Sequence, residues 1–354
     1  MNISFTKTTC PKEKPEASTL GFGKFFSDHM FIMDYSNDKG WYDARIVPFA
    51  NLSLHPASTV LHYGSEIFEG LKAYRRADGK VQLFRPMENI RRLNTSAERL
   101  CLPQIPEDLA YQALAEFVKV EQDWTPSEPG TSLYLRPFLF GNDESLGVHA
   151  VHNATFVIIA SPVGSYYKEG INPVRIMIED EDVRAVRGGT GYAKCGGNYA
   201  ASNRAGERAA QQGYSQVLWL DGVERKYIEE VGAMNVMFKI GDEIVTPMLS
   251  GSILPGITRK SCLEVLRKEG YNVSERLLSI DELSKAMADG TLEEAWGCGT
   301  AAVISPIGEL CYKGEKYIVN NGKIGTVTQH LYDTLTGIQW GKIEDEFGWI
   351  QPIE

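Results

Sequence analysis

Several signals are missing from this 354-residue chain, and each absence excludes a class of function. No apolar run approaches the roughly 18 residues of a membrane-spanning helix, and the longest, around Ala154–Ala160, has the length of a buried strand. No CxxC pair and no HExxH occurs. The six cysteines (Cys10, Cys101, Cys195, Cys262, Cys298, Cys311) and the six histidines are dispersed, so no metal site and no disulfide framework is expected. Scattered thiols suit a reducing, cytoplasmic setting. An excess of basic residues is also missing: the net charge of −10 argues against nucleic acid as the main partner. No G-x-G-x-x-G follows a strand pattern, which leaves a dinucleotide fold without support. Neither an internal repeat nor a low-complexity tract is present. The opening MNISFTKTTCPKEKPEAST lacks a continuous apolar stretch, so no secretory signal is expected.

What remains is an ordinary globular composition, 43% hydrophobic and 23% charged, long enough for two cores. Met30–Tyr35 and Val81–Phe84 carry strand signals, the second after an Asp78-Gly79 turn. PMENIRRLNTSAERL opens with Pro86 and spaces Ile90, Leu93 and Leu100 for one buried helical face. A second helix is expected over Leu109–Trp124, followed by two segments dense in β formers, SLYLRPFLFG and ATFVIIAS. PVGSYYKEGINP then reads as a connection, which sets domains at 1–162 and 176–354 around a loop at 163–175. Beyond it, Tyr199–Gln212 reads as a helix stopped by Gly213. Ser279 and Glu282 stand at capping-box spacing before a helix that Gly290 ends. The mixture of hairpins and separate helices points to two α+β domains and away from a doubly wound parallel sheet.

One stretch stands apart chemically. In GYAKCGGNYAASN a single charged side chain, Lys194, sits among small residues with no acid nearby in the chain. A loop lysine between a glycine turn and a helix is one reading. The other is an amine shielded from water, partly neutral, and able to attack a carbonyl. If that amine carried pyridoxal phosphate, three further parts would be needed: a carboxylate for the ring nitrogen, an arginine and backbone N–H groups for the phosphate, and an apolar wall for the ring.

The phrases LHYGSEIFEGLKAY, LYLRP, GGNY, EEVGAMN, SILPGITR and GCGTAA, in that order, resemble the branched-chain amino acid aminotransferases, pyridoxal phosphate enzymes of fold type IV. The resemblance implies a smaller N-terminal α/β domain and a larger, β-barrel-like C-terminal domain with surrounding helices. It implies pyridoxal 5'-phosphate joined to Lys194, with Tyr199 on the cofactor's phenolic oxygen and Glu230 on the ring nitrogen. Glu229, its neighbour in the strand, would point elsewhere. Arg92, just before the leucine of ENIRRL, would hold the phosphate. Leu254 would pack on the ring, while Ile257, Thr258 and Thr300 offer N–H and hydroxyl groups.

The implied reaction exchanges amino groups between Leu, Ile or Val and 2-oxoglutarate by a ping-pong route. One pocket must then accept an aliphatic chain and a second carboxylate. The resemblance supplies Phe22, Tyr63, Phe68, Tyr134, Val148 and Tyr166 as walls and Arg136 for the glutamate side-chain carboxylate. Tyr63, backbone N–H groups near Ala233 and Ala301, or water would meet the α-carboxylate. Two departures stand out. Ala233 occupies a position where the mammalian-like pattern has threonine, and Ala302 and Ser305 stand where mitochondrial members carry a CxxC pair. D-amino acid aminotransferases and aminodeoxychorismate lyases share the fold and the lysine, and a non-catalytic relative is a further alternative. Members pair around their sites, so a homodimer is expected.

Overall fold

A computed structural model of the chain describes residues 2–164 and 171–354. Their contacts divide the chain into two units, one of Met1–Lys168, Ala193–Gly196 and Gly337–Glu354, the other of Glu169–Tyr192 and Gly197–Thr336. This division departs from a single cut at 163–175 in two places. Residues 193–196 group with the first unit because Ala193 and Cys195 are buried in its core. The C-terminal segment does so because its strand Ile350–Pro352 pairs with Val81–Phe84, and because the buried Gln82 amide donates to the carbonyls of Ile338 and Gln339.

The strands of the first unit are β1 (Ser4–Phe5), β2 (His29–Ser36), β3 (Gly40–Pro48), β4 (Glu66–Phe68), β5 (Leu71–Arg75), β6 (Val81–Phe84), β7 (Ser132–Gly141) and β8 (Asn153–Val163). They run in the order β1-β3-β2-β8-β7-β5-β6, closed off by the C-terminal strand, with β4 beside β7. The expected turn at Asp78-Gly79 joins β5 to β6, and Gly79 takes the positive φ of 83° that glycine tolerates. Of the helices α1 (Thr59–Tyr63), α2 (Pro86–Arg99) and α3 (Glu107–Glu121), the last two bury the predicted apolar face. Ile90, Leu93, Leu114 and Phe117 pack with Leu133, Leu135 and Phe156 of β7 and β8. Burying each such side chain contributes about 1.5–3 kcal/mol. Strand alternation therefore sends Tyr134 and Arg136 to the opposite face of β7.

The second unit is built on β9 (Val174–Glu179), β10 (Gln216–Leu220), β11 (Ile228–Val231), β12 (Met234–Ile240), β13 (Glu243–Pro247), β14 (Asn272–Arg276), β15 (Leu292–Gly299), β16 (Val303–Tyr312) and β17 (Glu315–Ile318). Six of these close on themselves, β11-β10-β9-β16-β15-β12, and the ring is completed where Glu230 and Val231 pair with Asn235 and Met234. Closure leaves those strands without a free edge. The other end of β12 turns away to pair with β13, which carries β14. The helices are α4 (Gly196–Gln211), α5 (Ile257–Lys268), α6 (Ile280–Asp289) and α7 (Thr326–Gln339). Helix α4 begins three residues before the expected Tyr199, because Gly196 and Gly197 adopt helical backbone as its first turn. Helix α6 has the expected ends: the Glu282 N–H donates to Ser279 Oγ, and Gly290 closes it at φ 78°.

Candidate active site

In the first unit the backbone around Lys194 is clamped at three points. Its N–H donates to Ser96 Oγ at 2.9 Å, its carbonyl accepts the Phe68 N–H at 2.9 Å, and the Gly196 N–H donates to the Glu66 carboxylate. Ala193 and Cys195 point into the core, which sends the half-buried Lys194 the other way. Its Nζ lies 4.9 Å from the centre of the Phe68 ring. Burial pushes the Glu66 carboxyl up, and the Gly196 N–H and Arg136 offset part of that shift.

Next to this clamp, Arg92 and Glu69 form a forked pair, Nε to Oε1 and Nη2 to Oε2, both at 2.8 Å. Glu69 is 1% exposed and Arg92 8%. Burial works to raise the Glu69 carboxyl, but Arg92, the Lys194 charge and the Asn89 amide outweigh it and hold the group below its usual range. Arg136 donates to the Glu69 carbonyl at 2.9 Å and to the Tyr134 hydroxyl at 3.1 Å. Its guanidinium lies 4.7 Å from the Phe68 ring centre, and the Phe22 and Tyr134 rings meet edge to face at 4.8 Å. Gly70 is required here, because a Cβ on it would collide with the Tyr134 hydroxyl. Phe22, Phe68, Tyr134, Arg136 and Lys194 thus form one aromatic and cationic surface. Two other expected wall residues have their own surroundings in the unit. Tyr63 donates to the Leu146 carbonyl, and Val148 is 81% exposed on the same loop. Tyr166 lies outside the described residues.

In the second unit a cavity of about 500 Å³ is lined by Tyr199 and Asn198 of α4, by Glu230 of β11, and by Gly232, Ala233 and Arg184. That volume suits a small organic ligand. Glu230 is 3% exposed; its Oε1 accepts the Leu254 N–H at 2.7 Å and lies 3.3 Å from the Arg184 guanidinium. Alternation turns Glu229 to the opposite side, where the Ser252 hydroxyl donates to it and burial pushes its carboxyl up. Two adjacent acids therefore have two different environments.

The loop that follows leads into a helix start. Asn235 donates to the Leu254 carbonyl at 2.9 Å, and a Cβ on Gly256 would collide with the Asn235 side-chain oxygen, so only glycine fits. Helix α5 then starts at Ile257 and Thr258, both buried, with no side-chain cap and no acid in its first turn. Helices α6 and α7 contrast with it: Ser279 caps α6, and the Glu294 carboxylate accepts the first N–H groups of α7. The α5 donors and the positive end of its dipole are suited to a phosphate. Thr300 and Ala301 form the half-buried turn between β15 and β16.

Sequence reading missed Arg184, Glu69 and Lys72. Glu69 had a faint signal, an acid set inside the apolar run EIFEGL. Lys72 stands opposite Tyr134 in the β5–β7 register, and burial pulls its ammonium down to about 8. Arg184 had no local signal, since its partner is far along the chain.

Comparison with known proteins gives the family. The family model described as amino-transferase class IV matches residues 66–310. The chain is 57% identical to branched-chain-amino-acid aminotransferase 2 of Bacillus subtilis (strain 168) over 98% of this chain and 95% of that protein. It superimposes on the branched-chain amino acid aminotransferase of Escherichia coli with a TM-score of 0.76 at 27% identity, covering 92% of this chain and 99% of that one. It also superimposes on the T.th. branched-chain amino acid aminotransferase solved with pyridoxamine 5'-phosphate, with a TM-score of 0.76 at 26% identity over 92% and 98% of the two chains. With the family model matched over most of its length and a relative 57% identical across 98% of it, the chain belongs to the class IV aminotransferases, among the branched-chain-amino-acid aminotransferases.

Proposed function

We propose that this chain transfers the amino group of Leu, Ile and Val to 2-oxoglutarate, giving the branched-chain 2-oxo acids and glutamate, with pyridoxal 5'-phosphate attached to Lys194. The observation that carries the reading is the cavity of about 500 Å³ in which the Glu230 carboxylate and Tyr199 both take part, with Tyr199 only five residues after Lys194. The fit to the cofactor is chemical: a buried acid suits a ring nitrogen, a phenol suits the ring oxygen, and the uncapped start of α5 suits a phosphate.

Bound pyridoxal phosphate supplies the electron sink and stores the amino group between the two half-reactions. Each side chain then has one task. Lys194 Nζ, once the incoming substrate amine has displaced it from the cofactor, would take the substrate α-proton as general base. Glu230 holds a proton at the ring nitrogen by a charge-assisted hydrogen bond. Tyr199 donates to the ring oxygen. Arg92, locked in orientation by Glu69, serves the phosphate together with the N–H groups of Ile257 and Thr258 and the hydroxyl of Thr300, and Leu254 packs against the ring. Phe22, Phe68, Tyr134 and Tyr166 receive the aliphatic chain, and Arg136 receives the side-chain carboxylate of glutamate. Backbone N–H groups at Ala233 and Ala301 meet the α-carboxylate, because Ala233 has no hydroxyl to offer.

The chain acts as a homodimer in this reading. Its support is the exposed apolar group of Leu146 at 67%, Val148 at 81% and Tyr63 at 42%, a surface suited to burial by a second copy. A cytoplasmic location rests on six cysteines without a disulfide; among the described residues no helix is long and apolar enough to cross a membrane.

Borohydride reduction of the loaded protein followed by peptide sequencing tests the assignment. The label is expected on Lys194, and Lys194→Ala is expected to lose both the label and leucine-dependent glutamate formation. A label on another residue, or turnover by Lys194→Ala near the wild-type rate, overturns it. L-leucine against D-alanine as donor separates this reading from the D-amino acid enzymes.

A further inference from the structure

We infer that Arg184 is a positioning residue for Glu230, holding that carboxylate charged and aimed into the cavity. The inference rests on the reading of Glu230 as the partner of the cofactor's ring nitrogen and extends it to the group behind the acid.

The two side chains come from positions 184 and 230, and both are buried, Arg184 at 7% and Glu230 at 3% exposure. The guanidinium lies 3.3 Å from Glu230 Oε1, the same oxygen that accepts the Leu254 N–H. One backbone N–H and one cation at ion-pair distance converge on that oxygen and orient the carboxylate. Arg184 is itself held: its Nη2 donates to the Gly191 carbonyl at 3.0 Å and to the Ser252 carbonyl. Gly191 permits that convergence, since a Cβ there would collide with the Ser252 carbonyl oxygen. Arg184 thereby joins the segment leading to Lys194 and the loop leading to α5 to the acid at the ring nitrogen's place.

The electrostatic need is clear from the neighbours. Glu229 is close enough to Glu230 for the two charges to repel, and Tyr199 and Glu207 of α4 line the same cavity as Glu230. Among the described residues, Arg184 is the cation that lines this cavity with them. A carboxylate this buried, with Glu229 beside it and Glu207 on the cavity wall, would take up a proton if its cation were removed. A neutral Glu230 could no longer hold a proton on the ring nitrogen, which is its proposed task.

The test uses the full chain with Arg184→Gln, Arg184→Lys and Glu230→Gln. Glutamine keeps N–H donors for the Gly191 and Ser252 carbonyls, and lysine keeps the charge. The apoproteins are titrated with pyridoxal phosphate from pH 5 to 9, and the ring-nitrogen ¹⁵N shift of labelled cofactor is recorded on the loaded proteins. Arg184→Gln is expected to weaken cofactor binding about tenfold at pH 7 and to move the acid limb of binding up by about one pH unit. It is also expected to shift the ring-nitrogen signal toward the unprotonated form. Arg184→Lys is expected to keep the wild-type acid limb. A wild-type limb and wild-type ring-nitrogen signal in Arg184→Gln overturn the inference, even if its melting temperature falls, because a merely structural role would move only the latter. Should Arg184→Gln not fold, Arg184→Lys decides: a limb displaced by a full unit with the charge retained overturns it. If Glu230→Gln leaves both readouts at wild type, it is the ring-nitrogen reading that fails, and the inference falls with it.

Discussion

Removing the Glu69 charge tests whether the Arg92 fork is held by its partner. In Glu69→Gln the guanidinium of Arg92, 8% exposed, keeps its place but loses the carboxylate charge and one of the two acceptors it meets at 2.8 Å. Breaking a buried pair from one side costs about 3–5 kcal/mol, because the remaining charge stays desolvated. With a urea slope of about 2–3 kcal/mol/M, the midpoint should fall by roughly 1–2 M. The pH dependence has a definite sign. The Glu69 carboxyl sits below its ordinary value of 4.5 in the folded chain. Its contribution is therefore complete above that value and is lost as pH falls through the folded-state value. The gap between wild type and Glu69→Gln should be full at pH 7 and shrink on acidification. Adding Arg92→Met to Glu69→Gln should recover most of the loss, since neither charge is then left buried alone. Urea unfolding followed by circular dichroism supplies all of these values. A gap under about 1 kcal/mol at pH 7, a gap that widens in acid, or a double variant no better than the single one refutes the reasoning.

Three further outcomes are expected. Glu230→Ala should lower kcat on the order of a hundredfold or more while cofactor can still be loaded by mass action, as steady-state rates at saturating pyridoxal phosphate will show. Gly256→Ala drives a methyl into the Asn235 side-chain oxygen and should cost about 1–3 kcal/mol, with weaker cofactor retention on dialysis as the accompanying sign. Ser279→Ala removes the acceptor for the Glu282 N–H and should cost about 1 kcal/mol in a urea titration with turnover unchanged; a loss of turnover would contradict the purely structural role of that cap.

The lesson for reading such chains differs between the two units. The places of Tyr199 in GGNY and of the acid before Val-Gly came from the family resemblance and not from pattern alone, and both residues line the second unit's cavity. The helix over PMENIRRLNTSAERL and the Ser279-to-Gly290 helix were legible because period and caps are local properties. The start of α4 was misjudged by three residues because paired glycines signal a turn, and only the packed chain shows them helical.

By itself, then, the sequence determined what repeats every two or 3.6 residues and what a short motif must contain: strand faces, helix ends, the lone lysine and the glycines around it. The tertiary structure alone decided which distant groups meet: Arg184 with Glu230, Arg92 with Glu69, β11 closing on β12, and the C-terminal strand on β6. The physical reason is that a side chain's spacing fixes its direction, whereas its partner is fixed by the packing of cores from far-separated segments.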